Sequence, residues 1–361
     1  MRPDPRFHAC IIAGGSGERF WPMSRVSAPK HLLKIFSERT LLEQTVMRLK
    51  GVVPRRNIWI LTNRAQVPHV RRVLPGFPRG QIVAEPSRRD TAPAAALATG
   101  LVHARSPDGI VAILPADALI KDTGRFARQL EQAFRWAGQG SDGAAGHGLI
   151  TFAVKPTFPA TGYGYLELGP ELARGSHGSR LLRVRRFVEK PDLRTARAYL
   201  AGGRHAWNAG IFVWSAGRFL AEVNRTQPRI ASFVRDFPRG DPARYLSRRF
   251  RLLPKTSVDY AVLEKASAVS TVIAKFDWDD VGSWSALNKH FKSDRSGNVA
   301  LGQVAAVGST NTIAVSNGRV IGLCGVRDLV VVETPDAVLV CHKDCVQDIK
   351  RLLPGLPRRI I

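Results

Sequence analysis

Apolar and polar positions alternate along the first two thirds of the chain in the pattern of buried strands separated by helices. The apolar runs have the length of buried strands and lie at 9–12, 57–62, 81–84 and 110–114. Thr40 and Glu43 form a capping box that predicts a helix start. Asp90 or Thr91 caps a second predicted helix, which runs through an alanine-rich segment to about Arg105. The alternation predicts an α/β fold with a mostly parallel sheet, helices on both faces and ligands at the carboxyl ends of the strands.

The pattern changes after about residue 295. Helical periodicity stops, and short β-rich runs separated by turn residues lie at 304–307, 312–315, 320–323 and 329–333. The last piece, 343–353, carries apolar residues at helix-like spacing and is predicted to be a helix. We therefore predict a large domain over 1–294 and a small β-rich domain over 295–361. A glycine-rich stretch at 138–148 is predicted to be a flexible surface loop.

The composition is that of a globular protein with a strongly positive surface. Of 361 residues, 54 are Lys or Arg and 29 are Asp or Glu, which gives a net charge of +25. The arginines are scattered through every segment, a distribution that favours a base-rich solvated surface over a nucleic-acid groove. Affinity for polyanions in general remains an alternative.

Cysteine use and hydropathy point to a soluble, cytoplasmic protein without a membrane partner. The four cysteines, Cys10, Cys324, Cys341 and Cys345, contain no C-x-x-C pair and are expected to be buried and reduced. Cys341, His342 and Cys345 suggest a zinc site, but no second pair at metal spacing accompanies them. No apolar run approaches the length of a membrane helix, and the N-terminal apolar stretch continues into a glycine-rich loop, so no cleaved signal is expected.

That glycine-rich loop follows the first apolar run directly. Gly14, Gly15 and Gly17 allow backbone N–H groups to turn toward an anion, while Arg19 and Lys30 bring positive charge to the same place. The loop lacks the G-x-x-x-x-G-K-[ST] pattern, and the third glycine of the dinucleotide-binding pattern is missing. The segment therefore predicts a polyphosphate cradle of another kind, or, as the alternative, a tight strand-to-helix turn.

Further polar side chains follow other predicted strands. Asp117 comes just after a buried strand and is a candidate magnesium ligand, although an aspartate in a turn is the alternative. Glu189 and Lys190 precede a proline that ends a strand; a carboxylate suits sugar hydroxyls and a lysine suits phosphate. Asn208 can present its amide to a ligand or form a simple turn. Asp280 lies among three carboxylates between two tryptophans, as a cation ligand or as the N-cap of a helix from about 284.

Eight strings occur in the order and at about the spacing seen in sugar-1-phosphate nucleotidylyltransferases. They are AGGSGERFWPMSR…PK, EPSRRDTAPA, LPAD, TGYGYLELG, FVEKPDLRTARAYL, WNAGIFVW, LPKTSVDYAVLEK and DWDDVGSWSAL. Within that family the chain most resembles the mannose-1-phosphate guanylyltransferases, over nearly its whole length. The resemblance implies a Rossmann-like nucleotide-diphospho-sugar transferase fold followed by a small, left-handed β-helix-like domain.

The resemblance also implies a role for each matching position. The GTP phosphates would be held by Gly14, Gly15, Gly17, Arg19 and Lys30. The segment facing the base would supply Glu85, Arg89, Asp90 and Thr91. The sugar phosphate would be held by Gly164, Glu189, Lys190 and Asn208. The implied cofactor is Mg²⁺, on Asp117 and Asp280, and the catalytic groups would be Arg19, Lys30, Asp117, Lys190 and Asp280.

The implied reaction makes GDP-mannose and pyrophosphate from GTP and mannose 1-phosphate. The chain departs from the family pattern at His31, at Asp90 and at the residues flanking Asp117, and Asp90 puts the choice of nucleotide in question. The alternatives are a nucleotidylyltransferase for another hexose 1-phosphate or nucleotide, and a non-catalytic polyanion-binding relative. A specific nucleic-acid partner and a second, isomerase activity are not expected, and a homodimer is one possible assembly.

Overall fold

The computed structural model describes residues 3–15, 17–139 and 147–361. Its larger part is built on a nine-stranded sheet, counted over these described residues, with spatial order β3-β2-β1-β4-β8-β5-β9-β7-β6. The strands are β1 (Phe7–Ala13), β2 (Ile58–Asn63), β3 (Ile82–Glu85), β4 (Ile110–Pro115), β5 (Leu149–Val154), β6 (Tyr165–Arg174), β7 (Arg180–Val188), β8 (His205–Ser215) and β9 (Val269–Ile273).

The two halves of this sheet differ in strand direction. Strands β3, β2, β1 and β4 are parallel to one another, as the alternating strand and helix pattern predicts. Strand β8 is antiparallel to both β4 and β5, and β6 and β7 form an antiparallel pair. The connection at 175–179 is too short for a crossover, so β6 and β7 can pair only as a hairpin. The fold is α/β as predicted, with its parallel character concentrated in the first four strands.

Helices cover both faces of the sheet, which confirms the layered arrangement. They are α1 (Leu41–Arg48), α2 (Val67–Val73), α3 (Thr91–Arg105), α4 (Thr123–Gly138), α5 (Leu193–Gly202), α6 (Ala216–Thr226), α7 (Pro228–Arg235), α8 (Ala243–Arg249) and α9 (Leu287–His290). One apolar core joins the sheet to α3, α6 and α7, and another joins it to α1 and α4. The Thr40–Glu43 capping box is present, and Asp90 is the N-cap of α3. None of the described helices combines the length and the hydropathy that a membrane span requires.

The end of the chain forms stacked β coils. Its strands are β10 (Val299–Leu301), β11 (Val304–Val307), β12 (Ile313–Val315), β13 (Ile321–Cys324), β14 (Leu329–Thr334) and β15 (Ala337–His342). Strands β10, β12 and β14 stack in parallel, as do β11 and β13, and β15 closes the first stack in antiparallel pairing. Each coil therefore contributes a strand to a growing parallel stack, which is the arrangement of a β-helix and confirms the predicted β-helix-like unit.

Two local predictions need correction or lie partly outside the described residues. The predicted helix over 343–353 is wrong: the segment forms successive 3₁₀ turns at Lys343–Cys345, Ile349–Arg351 and Leu353–Gly355. Its apolar residues are buried as expected, because a spacing of three fits a 3₁₀ turn as well as an α-helix. Helix α4 extends to residue 138, and residues 140–146 of the predicted loop lie outside the described residues.

Only part of the cysteine prediction is confirmed. Cys10 is buried, but Cys324 and Cys345 are exposed and Cys341 is half-buried, all as free thiols. Along β13 the core-facing positions are Ile321 and Leu323, so the strand's two-residue period turns Cys324 outward. Within the described residues no group of three or more His, Cys, Asp or Glu side chains is arranged to hold a metal ion.

The β-helix-like unit shares a hydrophobic core with the glycine-rich loop region of the larger part. Phe20 and Trp284 from the larger part lie in one buried cluster with Val330 and Ile349 from the tail. The Trp21 indole N–H donates to the carbonyl of Ile360 at 2.7 Å. The division at 294/295 stays a proposal, and the two parts are joined by a continuous apolar interface.

Candidate active site

A cavity of about 580 Å³ opens at the carboxyl ends of β1 and β4 and is bounded on its far side by β8 and the ends of β6 and β7. The site residues predicted from sequence that line it are Gly15, Gly17, Arg19, Lys30, Thr91, Asp117, Gly164, Glu189, Lys190, Asn208 and Asp280. Four predicted site residues do not line it, namely Gly14, Glu85, Arg89 and Asp90. The strand order thus brings motifs that are far apart in sequence to one opening.

The glycine-rich loop is packed tightly against the start of the Lys30 segment. Gly17 has a φ of 63°, and a Cβ added there would lie 2.9 Å from the backbone nitrogen of Lys30. Only glycine permits both this backbone conformation and this close approach. The loop therefore does more than turn the chain: its close packing against Lys30 fixes the position of the Lys30 backbone at the cavity.

Lys30 links the two aspartates that the sequence proposes as metal ligands. Its Nζ lies 2.7 Å from Oδ2 of Asp117 and donates to the backbone carbonyl of Asp280 at 2.6 Å. A third contact, 3.1 Å long, joins the same Nζ to the carbonyl of Val281. The Lys30 side chain is only 8% exposed. Asp117 and the Asp280 segment therefore meet around a single buried ammonium group.

The pKa values of the Asp117 and Asp280 carboxyl groups are shifted in opposite directions. Burial acts to raise the pKa of Asp117, but the adjacent Lys30 ammonium outweighs burial and the pKa is lowered. Burial raises the pKa of Asp280, although a hydrogen bond from the Tyr163 hydroxyl to its carboxylate acts in the opposite direction. Two carboxylates are a ligand set that Mg²⁺ accepts when substrate phosphates supply further oxygens. The residues present thus fit a magnesium ion bound jointly by protein and substrate.

Asp280 does not cap the following helix, so that alternative from the sequence is wrong. The 3₁₀ turn Trp284–Ala286 begins after Ser283, which occupies the N-cap position. The Asp280 carboxylate instead accepts the hydrogen bond from Tyr163. A side chain at Gly282 would meet both Asp280 Oδ2, at 3.0 Å, and Arg19 Nη1, at 3.4 Å. Arg19 therefore lies beside the Asp280 segment in the cavity lining.

The opposite wall is formed by the end of β7 and the start of β6. Lys190 Nζ and Glu189 Oε1 form a contact of 2.5 Å, with the Lys190 side chain 57% exposed and Glu189 only 7%. A Cβ at Gly164 would lie 2.6 Å from Glu189 Oε2. The absence of a side chain at Gly164 therefore leaves room for Glu189, and Lys190 extends toward solvent as a cation at the cavity mouth.

Asn208 is held by partners that fix its amide. Its Oδ1 accepts from the Thr151 hydroxyl at 2.6 Å, and its Nδ2 donates to Asp259 Oδ1 at 3.3 Å. Asp259 is half-buried, and desolvation together with the charge of Glu189 raises its pKa to about 7. No role for Asp259 or Tyr163 was predicted, although they lie in the strings LPKTSVDYAVLEK and TGYGYLELG. For Asp259 the available signal was a carboxylate two residues before the buried apolar run 261–263.

The segment predicted to face the base has mainly local contacts. Arg89 donates to the carbonyl of Leu253 at 3.1 Å, and Asp90, with a φ of 68°, accepts from the backbone N–H of Thr91 at 2.7 Å. The Thr91 hydroxyl accepts from the backbone N–H of Val258 at 2.9 Å. These bonds set the start of α3, and of the four residues in this segment Thr91 reaches the cavity. Contact of the other three with a base stays a prediction.

Glu85 ends β3 next to the glycine-rich loop. A Cβ at Gly14 would lie 4.0 Å from Glu85 Oε2, and Glu85 Oε1 has no hydrogen-bond partner among the described residues. Burial raises the pKa of Glu85 to about 7. A neutral carboxyl group next to the glycine-rich loop is able both to donate and to accept a hydrogen bond.

We expect Glu85→Gln to stabilise the protein at pH 8 and to have much less effect near pH 4. The folded state retains a proton on Glu85 up to about pH 7, whereas the unfolded state loses it near pH 4.5. Stability is therefore lost as the pH rises through this window, and Gln removes the loss, by roughly 3 kcal/mol at pH 8. Denaturant unfolding of both proteins at the two pH values measures this. An equal difference at both would show that Glu85 is not buried as a neutral acid.

Comparisons with known proteins agree with the resemblance that the eight motifs predict. Residues 8–297 match the family described as nucleotidyl transferase, and residues 302–356 match the MannoseP isomerase/GMP-like beta-helix domain. The xanthan biosynthesis protein XanB of Xanthomonas campestris pv. campestris is 37% identical over 349 residues, which cover 95% of this chain and 72% of that protein. The mannose-1-phosphate guanylyltransferase of Escherichia coli K12 is 36% identical over 357 residues, covering 96% and 73%.

Two solved structures also resemble this chain in fold. A structure from Thermus thermophilus, described as a mannose-1-phosphate geranyltransferase, has a TM-score of 0.85 and 32% identity, with 97% of this chain and 99% of that chain covered. A mannose-6-phosphate isomerase from Helicobacter pylori, at 22% identity and a TM-score of 0.59, covers 76% of this chain and 99% of its own and shares the fold.

Proposed function

Because the chain belongs to the nucleotidyl transferase family, we propose that it is a mannose-1-phosphate guanylyltransferase, which converts GTP and mannose 1-phosphate into GDP-mannose and pyrophosphate. The names of its relatives support the substrates. The observation that carries the proposal is the single cavity in which Lys30 joins Asp117 to the Asp280 segment, while Glu189 and Lys190 form the opposite wall. Such a cavity places two polyanions face to face.

The reaction needs positioning and charge compensation more than proton transfer. A phosphate monoester loses its second proton near pH ~6, so the sugar phosphate arrives as a nucleophile without a general base. One of its oxygens forms a bond to the α-phosphorus of GTP, and the bond from that phosphorus to the bridging oxygen of pyrophosphate breaks. The electron pair leaves with pyrophosphate. The protein must align the two groups and offset the repulsion between them.

We assign the triphosphate to one wall of the cavity and the sugar phosphate to the other. On the nucleotide side, Arg19, Lys30 and the glycine-rich loop offset charge on the triphosphate and on departing pyrophosphate. On the sugar side, Lys190 binds the phosphate of mannose 1-phosphate. Gly164, Glu189 and Asn208 complete the sugar side. The carboxylate of Glu189 and the amide of Asn208 can hydrogen-bond to sugar hydroxyls, and Gly164 leaves room for the ring. Thr91, at the start of α3, approaches the nucleotide from the base-facing segment.

Nucleotidyl transferases generally use a divalent metal, and Asp117 and Asp280 are the residues that would hold Mg²⁺ here. When bound, the ion would supply positive charge that both phosphate groups share. Lys30 keeps Asp117 ionised, in line with the lowered pKa of that carboxyl, and holds the Asp280 backbone at the same place. The protein's own contribution is thus to keep two carboxylates close and available.

Replacing Lys190 with Ala is expected to raise KM for mannose 1-phosphate by about 10- to 100-fold, since a hydrogen bond to a charged group contributes roughly 1.5 to 3 kcal/mol. KM for GTP should change much less. Steady-state kinetics with each substrate varied in turn provide the measurement, and Lys155→Ala, which lies outside the cavity lining, is the control. Equal increases in both KM values would remove Lys190 from the sugar-phosphate side.

A panel of substrates tests the proposed function directly. GTP, ATP, UTP and dTTP are each paired with mannose 1-phosphate, glucose 1-phosphate and galactose 1-phosphate, and pyrophosphate release is measured. We expect GTP with mannose 1-phosphate to give the highest kcat/KM. A higher value for another pair would favour the alternative of a different sugar or base. Absence of turnover with every pair, combined with salt-sensitive binding of DNA or RNA, would favour a non-catalytic polyanion-binding relative.

Three further assignments stay proposals. A cytoplasmic location fits a biosynthetic role in making a sugar nucleotide. A homodimer is a possible assembly, which light scattering of the purified chain would test. The choice of Mg²⁺ over other divalent ions rests on the oxygen-only donor set of the two aspartates.

A further inference from the structure

The cavity receives one residue from outside the larger part of the chain. Lys350 lies on the 3₁₀ turn Ile349–Arg351, at the end of the β-helix-like unit, and lines the same cavity as Arg19 and Lys30. We infer that Lys350 is a further triphosphate-binding residue and that Gln347 positions Arg19 for the same phosphates. This inference rests on the proposed function, because it adds to the nucleotide side of that site.

The tail contacts the glycine-rich loop region through Arg19. Arg19 Nη1 donates to Gln347 Oε1 at 3.0 Å. The same nitrogen lies beside Gly282, where an added Cβ would be 3.4 Å away. The guanidinium is therefore placed between the tail and the Asp280 segment. Without Gln347, an exposed arginine side chain would sample many rotamers before each encounter with GTP.

The backbone that carries Lys350 is firmly attached to the loop region. Ile349, the preceding residue, is 1% exposed and lies in the hydrophobic cluster that contains Phe20 and Trp284. At the chain end, the Trp21 indole N–H donates to the carbonyl of Ile360 at 2.7 Å, and the Val26 backbone N–H donates to the carbonyl of Ile361 at 3.3 Å. The anchoring fixes the Lys350 backbone while its side chain remains exposed and able to reach a ligand.

The positive charge of the Lys350 ammonium is available to pair with the negative charge of a triphosphate. Over the described part of the chain, no carboxylate lies within 4.0 Å of its ammonium, whereas the neighbouring Arg351 pairs with Asp348 at 3.3 Å. Lys30 is already committed to Asp117 and two backbone carbonyls. A nucleoside triphosphate with several negative charges therefore needs cations in addition to Lys30, and Arg19 and Lys350 are in place to supply them.

The test compares Lys350→Ala with Arg351→Ala, the adjacent cation that does not line the cavity. Equilibrium binding of GTP in the absence of sugar phosphate should weaken by about tenfold in Lys350→Ala and remain unchanged in Arg351→Ala. KM for GTP should rise in parallel, KM for mannose 1-phosphate should not change, and Lys350→Arg should recover most of the loss. Thermal unfolding of all three variants controls for folding, and Lys350→Gln replaces Lys350→Ala if that variant is unstable.

A double-mutant cycle tests the positioning role of Gln347. Gln347→Ala should weaken GTP binding by a smaller factor than Arg19→Ala, and the double variant should bind GTP no more weakly than Arg19→Ala alone. Additive losses would show that Gln347 does not act through Arg19.

Different experimental results would overturn the proposed function and the proposed role of Lys350. If wild-type protein binds GTP but forms no GDP-mannose, the proposed function fails while the GTP-binding comparison still decides on Lys350. If wild-type protein is active and Lys350→Ala matches Arg351→Ala in both GTP affinity and KM, the inference is overturned and the proposed function stands.

Discussion

Replacing Asp280 with Asn is expected to lower kcat for GDP-mannose formation by about 10²- to 10³-fold, the range observed when a group that stabilises transition-state charge is removed. The amide keeps the size of the carboxylate and can still contact the Tyr163 hydroxyl, but it carries no charge to share with a divalent ion. Asp117→Asn should have a comparable effect, because the Asp117 carboxylate and the backbone carbonyl of Asp280 both contact the Lys30 ammonium, which brings the two aspartates to the same place. Initial rates of pyrophosphate release at saturating substrates measure both variants.

The double variant Asp117→Asn/Asp280→Asn tests whether the two carboxylates bind the same ion. If one ion needs both carboxylates, the double variant should be little slower than either single one, since the ion is already lost. Asp344→Asn, an exposed aspartate on the tail outside the cavity lining, is the control. Near-normal turnover in Asp280→Asn would remove that residue from the metal site.

Replacing Lys30 with Met is expected to reduce kcat/KM by about 10³-fold and to change its pH dependence. The side chain remains long and apolar enough to fill its buried position, but three contacts, to Asp117 and to the carbonyls of Asp280 and Val281, are lost. Lys30 lowers the pKa of Asp117, so its removal raises that pKa. Since Asp117 must be ionised to bind a metal ion, the acid limb of the rate profile should move to higher pH.

The pH dependence of kcat/KM, followed from acid to alkaline pH, measures this effect. Lys34→Met, an exposed lysine close by in sequence, controls for the loss of one positive charge from an already basic surface. A proportional drop in rate with an unchanged acid limb would mean that Lys30 contributes only to phosphate binding and does not set the charge state of Asp117.

Much of the site could be predicted from sequence because it follows strand ends. The glycine-rich loop after β1 and Asp117 after β4 belong to neighbouring parallel strands, so their carboxyl ends open on the same edge of the sheet. Glu189 and Lys190 were placed at a strand end by the proline that follows them. In each case a local signal, an apolar run followed by polar or small residues, was enough to place the side chain.

The remaining parts of the site depend on contacts that no local pattern encodes. Gln347 meets Arg19 across 328 positions in the chain, through a tail whose 3₁₀ turns have the same apolar spacing as a helix. Tyr163 reaches Asp280 only because β6 and β7 pair as a hairpin beside β8. The burial that raises the pKa of Asp259 likewise follows from packing between elements. These residues could be named only once the sheet order was known.

The position of a metal ion in the nucleotide complex is the most direct test of the proposed site. Crystals grown with GTP and Mn²⁺ as a stand-in for Mg²⁺ would locate the ion by its anomalous signal. We expect one ion in direct coordination with carboxylate oxygens of both Asp117 and Asp280 and with the α-phosphate of GTP. An ion bound to the phosphates alone, with neither aspartate in its coordination sphere, would contradict the proposed metal site.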